Sequence, residues 1–293
     1  MKLLLLGCNG QLGTDLLRAH AANSRGFTIE QLSRVELDCA DTLAIAPALA
    51  QRDFDVLINC TSYHKTDEVE ANAQQAAAIN AFAVKQIALA CARKRARFVH
   101  LSTDYVFDGL SDRPYLETDA PGPLNVYGAT KAMGEALARV NCDDTLIFRV
   151  ASLFGVAGAS GKGGNFVETM IRVGKEKGAL RVIADQRMSP TATADVAEMI
   201  LAALARRIRP GTYHAVNSGQ ASWHEFATRI IQRAGVNAPV DPIPATAYPL
   251  PAQRPAYSVL DNSKLAKLIG PIPHWTDALD RYLQAKGHLA VAV

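Results

Sequence analysis

Short apolar runs alternate with longer segments of helical period through the first half of the chain. Residues 3–6, 27–32, 56–60, 98–101 and 145–148 form such runs, each bounded by polar or glycine-containing stretches. A run that is apolar throughout, rather than at every second position, suits a strand buried on both faces. Strands of this kind separated by helical patterns predict βα units, and hence an α/β fold with a doubly wound parallel sheet. Helix starts are also legible: Asp41 and Thr42 open an Ala/Leu-rich segment, and Asn125 stands just before a helical pattern over 129–140.

After Val150 the pattern loosens. Gly155, Gly158, Gly161, Gly163 and Gly164 crowd one loop, and a proline-rich stretch covers 239–255. Helical patterns persist at 166–177, 194–206, 223–234 and 276–285. This half reads as a smaller lobe closing over the sheet edge, with elements near 185–210 returning to the first domain. The boundary is placed at 150, giving domains of 1–150 and 151–293.

Composition adds exclusions. The chain has 293 residues, 49% of them hydrophobic and 20% charged, ordinary values for a globular protein. Its net charge of +3 is too small to indicate nucleic-acid binding. The clusters Arg93, Lys94, Arg95, Arg97 and Arg206, Arg207, Arg209 close helical segments, where cations complement the helix dipole. Cys8, Cys39, Cys60, Cys91 and Cys142 form no CxxC pair and are odd in number, which points to a reducing, cytoplasmic setting. The opening Met-Lys-Leu-Leu-Leu-Leu breaks at Gly7, too early for a signal peptide. No stretch approaches the ~20 apolar residues of a membrane span, so no membrane partner is expected. The seven histidines are dispersed, and no metal site is predicted. Nothing indicates an oligomer. Trp223 and Trp275, each before a helical pattern, read as packing anchors.

The first chemical signal is Gly7-Cys8-Asn9-Gly10-Gln11-Leu12-Gly13, a GxxGxxG turn directly after the first strand and before a helix. Glycines there allow a tight turn and close backbone approach, so that a pyrophosphate can sit on the N–H groups at the helix N-terminus. Domain 1–150 is therefore read as a Rossmann-type dinucleotide-binding domain. The second strand ends in Leu32-Ser33-Arg34, without the carboxylate that would bind the ribose hydroxyls. Serine and arginine there favour NADPH over NADH, which stays the alternative. Asp38 and Cys39 fall near the adenine, and Cys60, Thr61, Ser62 and Tyr63 suit backbone contact with the cofactor. His64 and Lys65 add polar groups beside them.

The second signal is Tyr127-Gly128-Ala129-Thr130-Lys131. Four positions apart on a helix, the tyrosine and lysine share one face. A phenol ionises near pH ~10 and becomes an acid–base group at neutrality only beside a cation. Upstream, Leu101-Ser102-Thr103-Asp104 puts hydroxyls at the carboxyl edge of the sheet, where Thr103 can orient a substrate carbonyl.

The segments Ser102-Thr103-Asp104-Tyr105-Val106-Phe107-Asp108-Gly109, Pro123-Leu124-Asn125-Val126-Tyr127-Gly128, Lys131 and Gly134-Glu135 together resemble the dTDP-4-dehydrorhamnose reductases, a family within the extended short-chain dehydrogenase/reductases. Gly164-Asn165-Phe166, Asp185-Gln186, Pro190-Thr191, Tyr248-Pro249, Arg254-Pro255 and Ser258 extend the resemblance over most of the chain. It implies NADPH-dependent reduction of the C4 ketone of a nucleotide-linked 4-keto-6-deoxy sugar, giving dTDP-L-rhamnose. Tyr127 would donate the proton, Lys131 would hold the ribose and tune the tyrosine, and Thr103 would bind the oxygen. Thr103, Asp104, Val106, Ser152, Asn165, Gln186 and Arg254 would contact substrate, with Arg254 clamping the diphosphate and 151–293 forming the substrate lobe.

The chain departs from the pattern at Ser152, where some members carry a tryptophan against the sugar, and over residues 63–65. Its tail, 285–293, has no glutamate for the intersubunit magnesium site of part of the family. Two readings compete: an epimerase or dehydratase of the same superfamily, and a non-catalytic NADP-binding subunit resembling the β subunit of methionine adenosyltransferase. Tyr105, in place of a second carboxylate after Asp104, disfavours dehydration, and intact Thr103, Tyr127 and Lys131 disfavour a purely regulatory role.

Overall fold

The computed structural model describes residues 1–158 and 164–289; Gly161, Gly163 and residues 290–293 of the tail lie outside them. Strand β1 (Lys2–Leu6) pairs in parallel with β2 (Thr28–Leu32) on one side and with β3 (Val56–Asn59) on the other. From β3 the sheet continues through β4 (Arg97–Thr103) and β5 (Thr145–Val150). After β2 the chain re-enters on the far side of β1, so the topological switch falls between β1 and β3, where the carboxyl ends of the strands leave a crevice.

The five apolar runs are these five strands. β2 is the exception in pattern: Glu30 and Gln31 are exposed, because an edge strand with one neighbour need not be covered on both faces. Along β1, successive side chains face opposite sides. Leu3 and Leu5 pack with Leu12 and Leu16 of α1 (Gln11–Ala22), while Leu4 and Leu6 pack with Ile45 and Leu49 of α2 (Thr42–Ala50). Each buried leucine contributes about 2 kcal/mol, which anchors the strand carrying the glycine turn. Asp41 caps α2, accepting from the Leu43 and Ala44 amides.

Helix α3 (Thr66–Ala71) follows β3. Then α4 (Ala73–Ala77), a π turn over Ala78–Phe82 and α5 (Ala83–Lys94) run on as one 22-residue helix, Ala73–Lys94, whose length and mean hydropathy of 1.2 would suffice to cross a membrane. Here its buried face, with Val84, Ile87 and Cys91, packs on Leu57 and Phe98 of the sheet. Arg93 and Lys94 stand in its last turn and Arg95 ends it in a left-handed conformation, the helix-end role predicted for that cluster. Helix α6 (Val126–Asn141) packs beside it.

Beyond Val150 come β6 (Leu153–Phe154), α7 (Phe166–Lys177), β7 (Leu180–Ile183), β8 (Arg187–Met188), β9 (Thr191–Ala192) and α8 (Thr193–Ala205). α8 packs on α1, and β10 (Gly211–His214) pairs with β5 as the sixth strand of the main sheet. β11 (Ala221–Ser222), α9 (Trp223–Arg233) and β12 (Val240–Ile243) precede α10 (Ser263–Ile269) and α11 (Trp275–Ala285). The short strands form the pairs β6–β9, β8–β11 and β7–β12. Phe154, Ile171, Phe226, Trp275 and Leu279 share a separate apolar core.

Candidate active site

A cleft of about 910 Å³ opens at the carboxyl ends of β1, β3 and β4 and extends to Asn165, Phe166 and Trp223. At its floor the glycine turn has a steric logic. Gly7 takes φ +77°, and a Cβ there would lie 2.9 Å from the Cys60 carbonyl carbon across the crevice. A Cβ on Gly13 would meet the Gly7 carbonyl oxygen at 2.3 Å. Helix α1 starts at Gly10 with no side-chain cap and no acidic residue in its first turn. Its orphan N–H groups therefore face the cleft with no acidic side chain to compensate them. Such an end fits a pyrophosphate.

At the rim, Arg34 is exposed and its Nε and Nη2 donate to Asp38 Oδ2 at 3.1 and 3.0 Å. The Asp38 carboxyl is held below its usual range, first by the Ala40 amide and then by Arg34. Arg34, Asp38, Cys39, Cys60, Thr61, Ser62 and Tyr63 all line the cleft, as do His64 and Lys65. Ser33 does not: its amide and hydroxyl both donate to Glu36 at 2.9 and 2.8 Å, which turns it away.

Further along, Asn125 caps α6 by accepting from the Gly128 amide at 2.8 Å, and Gly128 lets the helix seat against the Tyr105 carbonyl oxygen, 2.1 Å from where a Cβ would be. That docking puts Tyr127 and Lys131 into the cleft on one helix face. The Tyr127 phenol lies within hydrogen-bonding reach of the Thr103 and Ser62 hydroxyls. Burial pushes its pKa up to about 12, the hydroxyls opposing this, so at neutral pH it holds its proton. Lys131 is buried, donates to the Leu101 carbonyl oxygen at 2.5 Å, and has its pKa brought down to about 8 by burial, with Glu135 opposing. Thr103 donates to Asp104 Oδ1 at 3.0 Å. Burial raises the Asp104 carboxyl to about 6, the Ser258 and Thr103 hydroxyls opposing this.

Asn80, absent from the sequence-derived set, organises the wall behind Tyr127. Its side-chain oxygen accepts from the Tyr63 amide at 2.9 Å and the Ser62 hydroxyl at 3.1 Å, and its nitrogen donates to the Tyr63 carbonyl and Thr130 hydroxyl, both at 3.1 Å. It sits within the π turn, a distortion common at functional sites. The signal in the sequence was a single asparagine within an alanine-rich helical pattern.

On the substrate side, Ser152 and Asn165 line the cleft. Ser152 is held at φ +44°, a left-handed conformation costly for a residue with a Cβ. Asn165 caps α7 at the Glu168 amide and donates to Gly155 O and the Tyr282 hydroxyl. Trp223 packs on Phe166, ring centroids 4.7 Å apart, and also lines the cleft, more than the packing role predicted; Trp275 is in the core.

Three predicted contacts are placed elsewhere. The Val106 side chain is fully buried in the apolar cluster of Phe107, Tyr115 and Leu260. Gln186, between β7 and β8, does not line the cleft. Arg254 is also off the lining: it grips Asp67 bidentately at 2.6 and 2.8 Å and reaches Tyr105, an ion pair between 151–293 and 1–150 where a diphosphate clamp was expected.

Comparison with known proteins adds the following. Residues 1–287 match the family model described as RmlD substrate binding domain. The chain is 37% identical over 296 residues to a dTDP-4-dehydrorhamnose reductase of Burkholderia thailandensis, covering 95% of this chain and 97% of that one. A crystal structure of a dTDP-4-dehydrorhamnose reductase from Clostridium acetobutylicum superposes with a TM-score of 0.91 at 33% identity, covering 98% of this chain and all (100%) of the other. One from Bacillus anthracis, in complex with NADP, gives 0.89 at 34% identity, covering 97% and 99%.

Proposed function

The chain belongs to the RmlD substrate binding domain family, and from that premise we propose that it is an NADPH-dependent oxidoreductase converting dTDP-4-dehydrorhamnose to dTDP-L-rhamnose. The observation that carries the reading is the meeting of Tyr127, Lys131 and Thr103 in the cleft that begins at the uncapped N-terminus of α1. Bound NADPH supplies the hydride for the ketone carbon.

Everything else falls to the chain. The glycine turn and the α1 amides hold the pyrophosphate, and Arg34 exchanges Asp38 for the 2′-phosphate. Thr103 turns its hydroxyl proton from Asp104 Oδ1 to the ketone oxygen, fixing the carbonyl. Tyr127, which holds its proton until the oxygen becomes basic, delivers that proton to the alkoxide. The Lys131 ammonium stabilises the phenolate left behind and orients the nicotinamide ribose. Phe166, Trp223, Asn165 and Ser152 flank the sugar nucleotide from the second lobe, so 1–150 serves the cofactor and 151–293 the substrate. Five free cysteines support a cytoplasmic setting.

The test is Tyr127→Phe. NADPH binding stays near the wild-type value, while kcat falls by roughly 10²–10⁴-fold, the usual worth of a positioned acid. Retained turnover removes Tyr127 as the acid. An NADPH-oxidation assay across dTDP-, UDP- and GDP-linked 4-keto-6-deoxy sugars identifies the nucleotide, and inactivity with all three overturns the proposal.

A further inference from the structure

Beneath the cleft, on the far side of Lys131 from Tyr127, lies a buried charge cluster that the reaction does not itself require. Glu135 stands one helical turn after Lys131 on the same face of α6 and has no solvent exposure. Its carboxylate is gripped by Arg149 of β5, Nε to Oε1 at 2.8 Å and Nη2 to Oε2 at 2.7 Å, and Arg139 approaches from the rim at 3.5 Å. Arg149 is itself 2% exposed, its guanidinium lies 4.9 Å over the Phe107 ring, and its remaining nitrogen has no hydrogen-bond partner among the described residues. A buried ion pair of this kind adds little to stability for its desolvation cost, so its position calls for another reason.

We propose that Glu135, held in place by Arg149, is a positioning residue whose negative charge keeps the Lys131 ammonium protonated at the cofactor site. This rests on the reading of Lys131 as the partner of Tyr127. Around Lys131 the other ionisable neighbours supply no anion. Cys60, at the end of β3, stays a thiol, burial holding its pKa up at about 12. His100, on β4, is kept neutral by burial and by Lys131 itself. Tyr127 stays a phenol, and Arg149 and Arg139 are cations. Leu101 contributes only a carbonyl dipole. The carboxylate bearing on Lys131 is Glu135, which opposes the desolvation that lowers the lysine.

Glu135→Gln leaves Arg149 without its carboxylate, and the double variant Glu135→Gln/Arg149→Met removes both charges without stranding the guanidinium. Each is titrated without cofactor by NMR of ¹³Cε-labelled lysine, the Lys131 signal being assigned by its loss in Lys131→Arg. The expected result is a midpoint lower by about one pH unit in Glu135→Gln, and lower in the double variant also. The alkaline limb of kcat/KM for reduction then moves down by the same amount. A Lys131 midpoint within about 0.2 unit of wild type in a folded variant overturns the proposal. If Glu135→Gln does not fold, the double variant decides. A midpoint that moves while the rate limb stays fixed upholds the counter-charge and removes Lys131 from the reaction.

Discussion

Replacing Gly13 by alanine tests the cofactor turn through space alone, since Gly13 has no positive φ to lose. Its Cβ would stand 2.3 Å from the Gly7 carbonyl oxygen and 2.8 and 2.9 Å from Cys8 Cα and C. All three are backbone atoms, with no flexible side chain to yield. Ordinary contact needs about 3.5 Å, so α1 and the turn must part by roughly 1 Å. The Gly10 amide bond to Gly7 O, 3.1 Å long, is lost or redirected, and the first amides of α1 swing off line. Hydrogen bonds to a charged group contribute about 1.5–3 kcal/mol each, so misaligning one or two costs about 3 kcal/mol after relaxation. NADPH Kd then rises on the order of 100-fold. Fluorescence titration with NADPH reads the loss, with circular dichroism confirming the fold. A Gly13→Ala Kd within about threefold of wild type refutes the steric account.

Other outcomes follow from the same geometry. Arg34→Ala should lower kcat/KM with NADPH by roughly 10–100-fold, the worth of one charged contact, and leave NADH nearly unchanged; equal loss with both coenzymes would remove the 2′-phosphate role. Asp104 has its proton affinity raised to about 6 in the folded protein against ~3.9 unfolded, so the native state holds more protons and its stability falls as pH rises between those values. Urea unfolding of Asp104→Asn from pH 4 to 7 should lack that component, worth up to about 3 kcal/mol, and curves parallel to wild type would contradict it. Ser152→Gly should relieve about 1 kcal/mol of left-handed strain and raise Tm by about 2–4 °C in differential scanning calorimetry, a lower Tm showing that the serine side chain holds the turn.

Much of this was legible beforehand because it is local. Gly7 to Gly13 follows its strand within one turn, Asp41 and Asn125 cap the helices they precede, and Tyr127 and Lys131 share a face by helical period alone. The helix at Phe166–Lys177 began and ended where its pattern did. Two side chains take further contacts that the pattern does not show: Glu36 accepts from both Ser33 donors, and Phe107, Tyr115 and Leu260 enclose Val106.

The sequence by itself determined the parallel strands, the glycine turn and the catalytic spacing, since each depends on backbone period and short-range sterics. Only the tertiary structure decided the rest. Arg254 meets Asp67 across 187 residues, Asn80 holds Ser62 and Tyr63 from a helical distortion, β10 closes the sheet from beyond residue 210, and Arg149 fixes Glu135 under Lys131. Charges and amides of this kind have no periodicity, and their partners are set by which surfaces the packed core brings together.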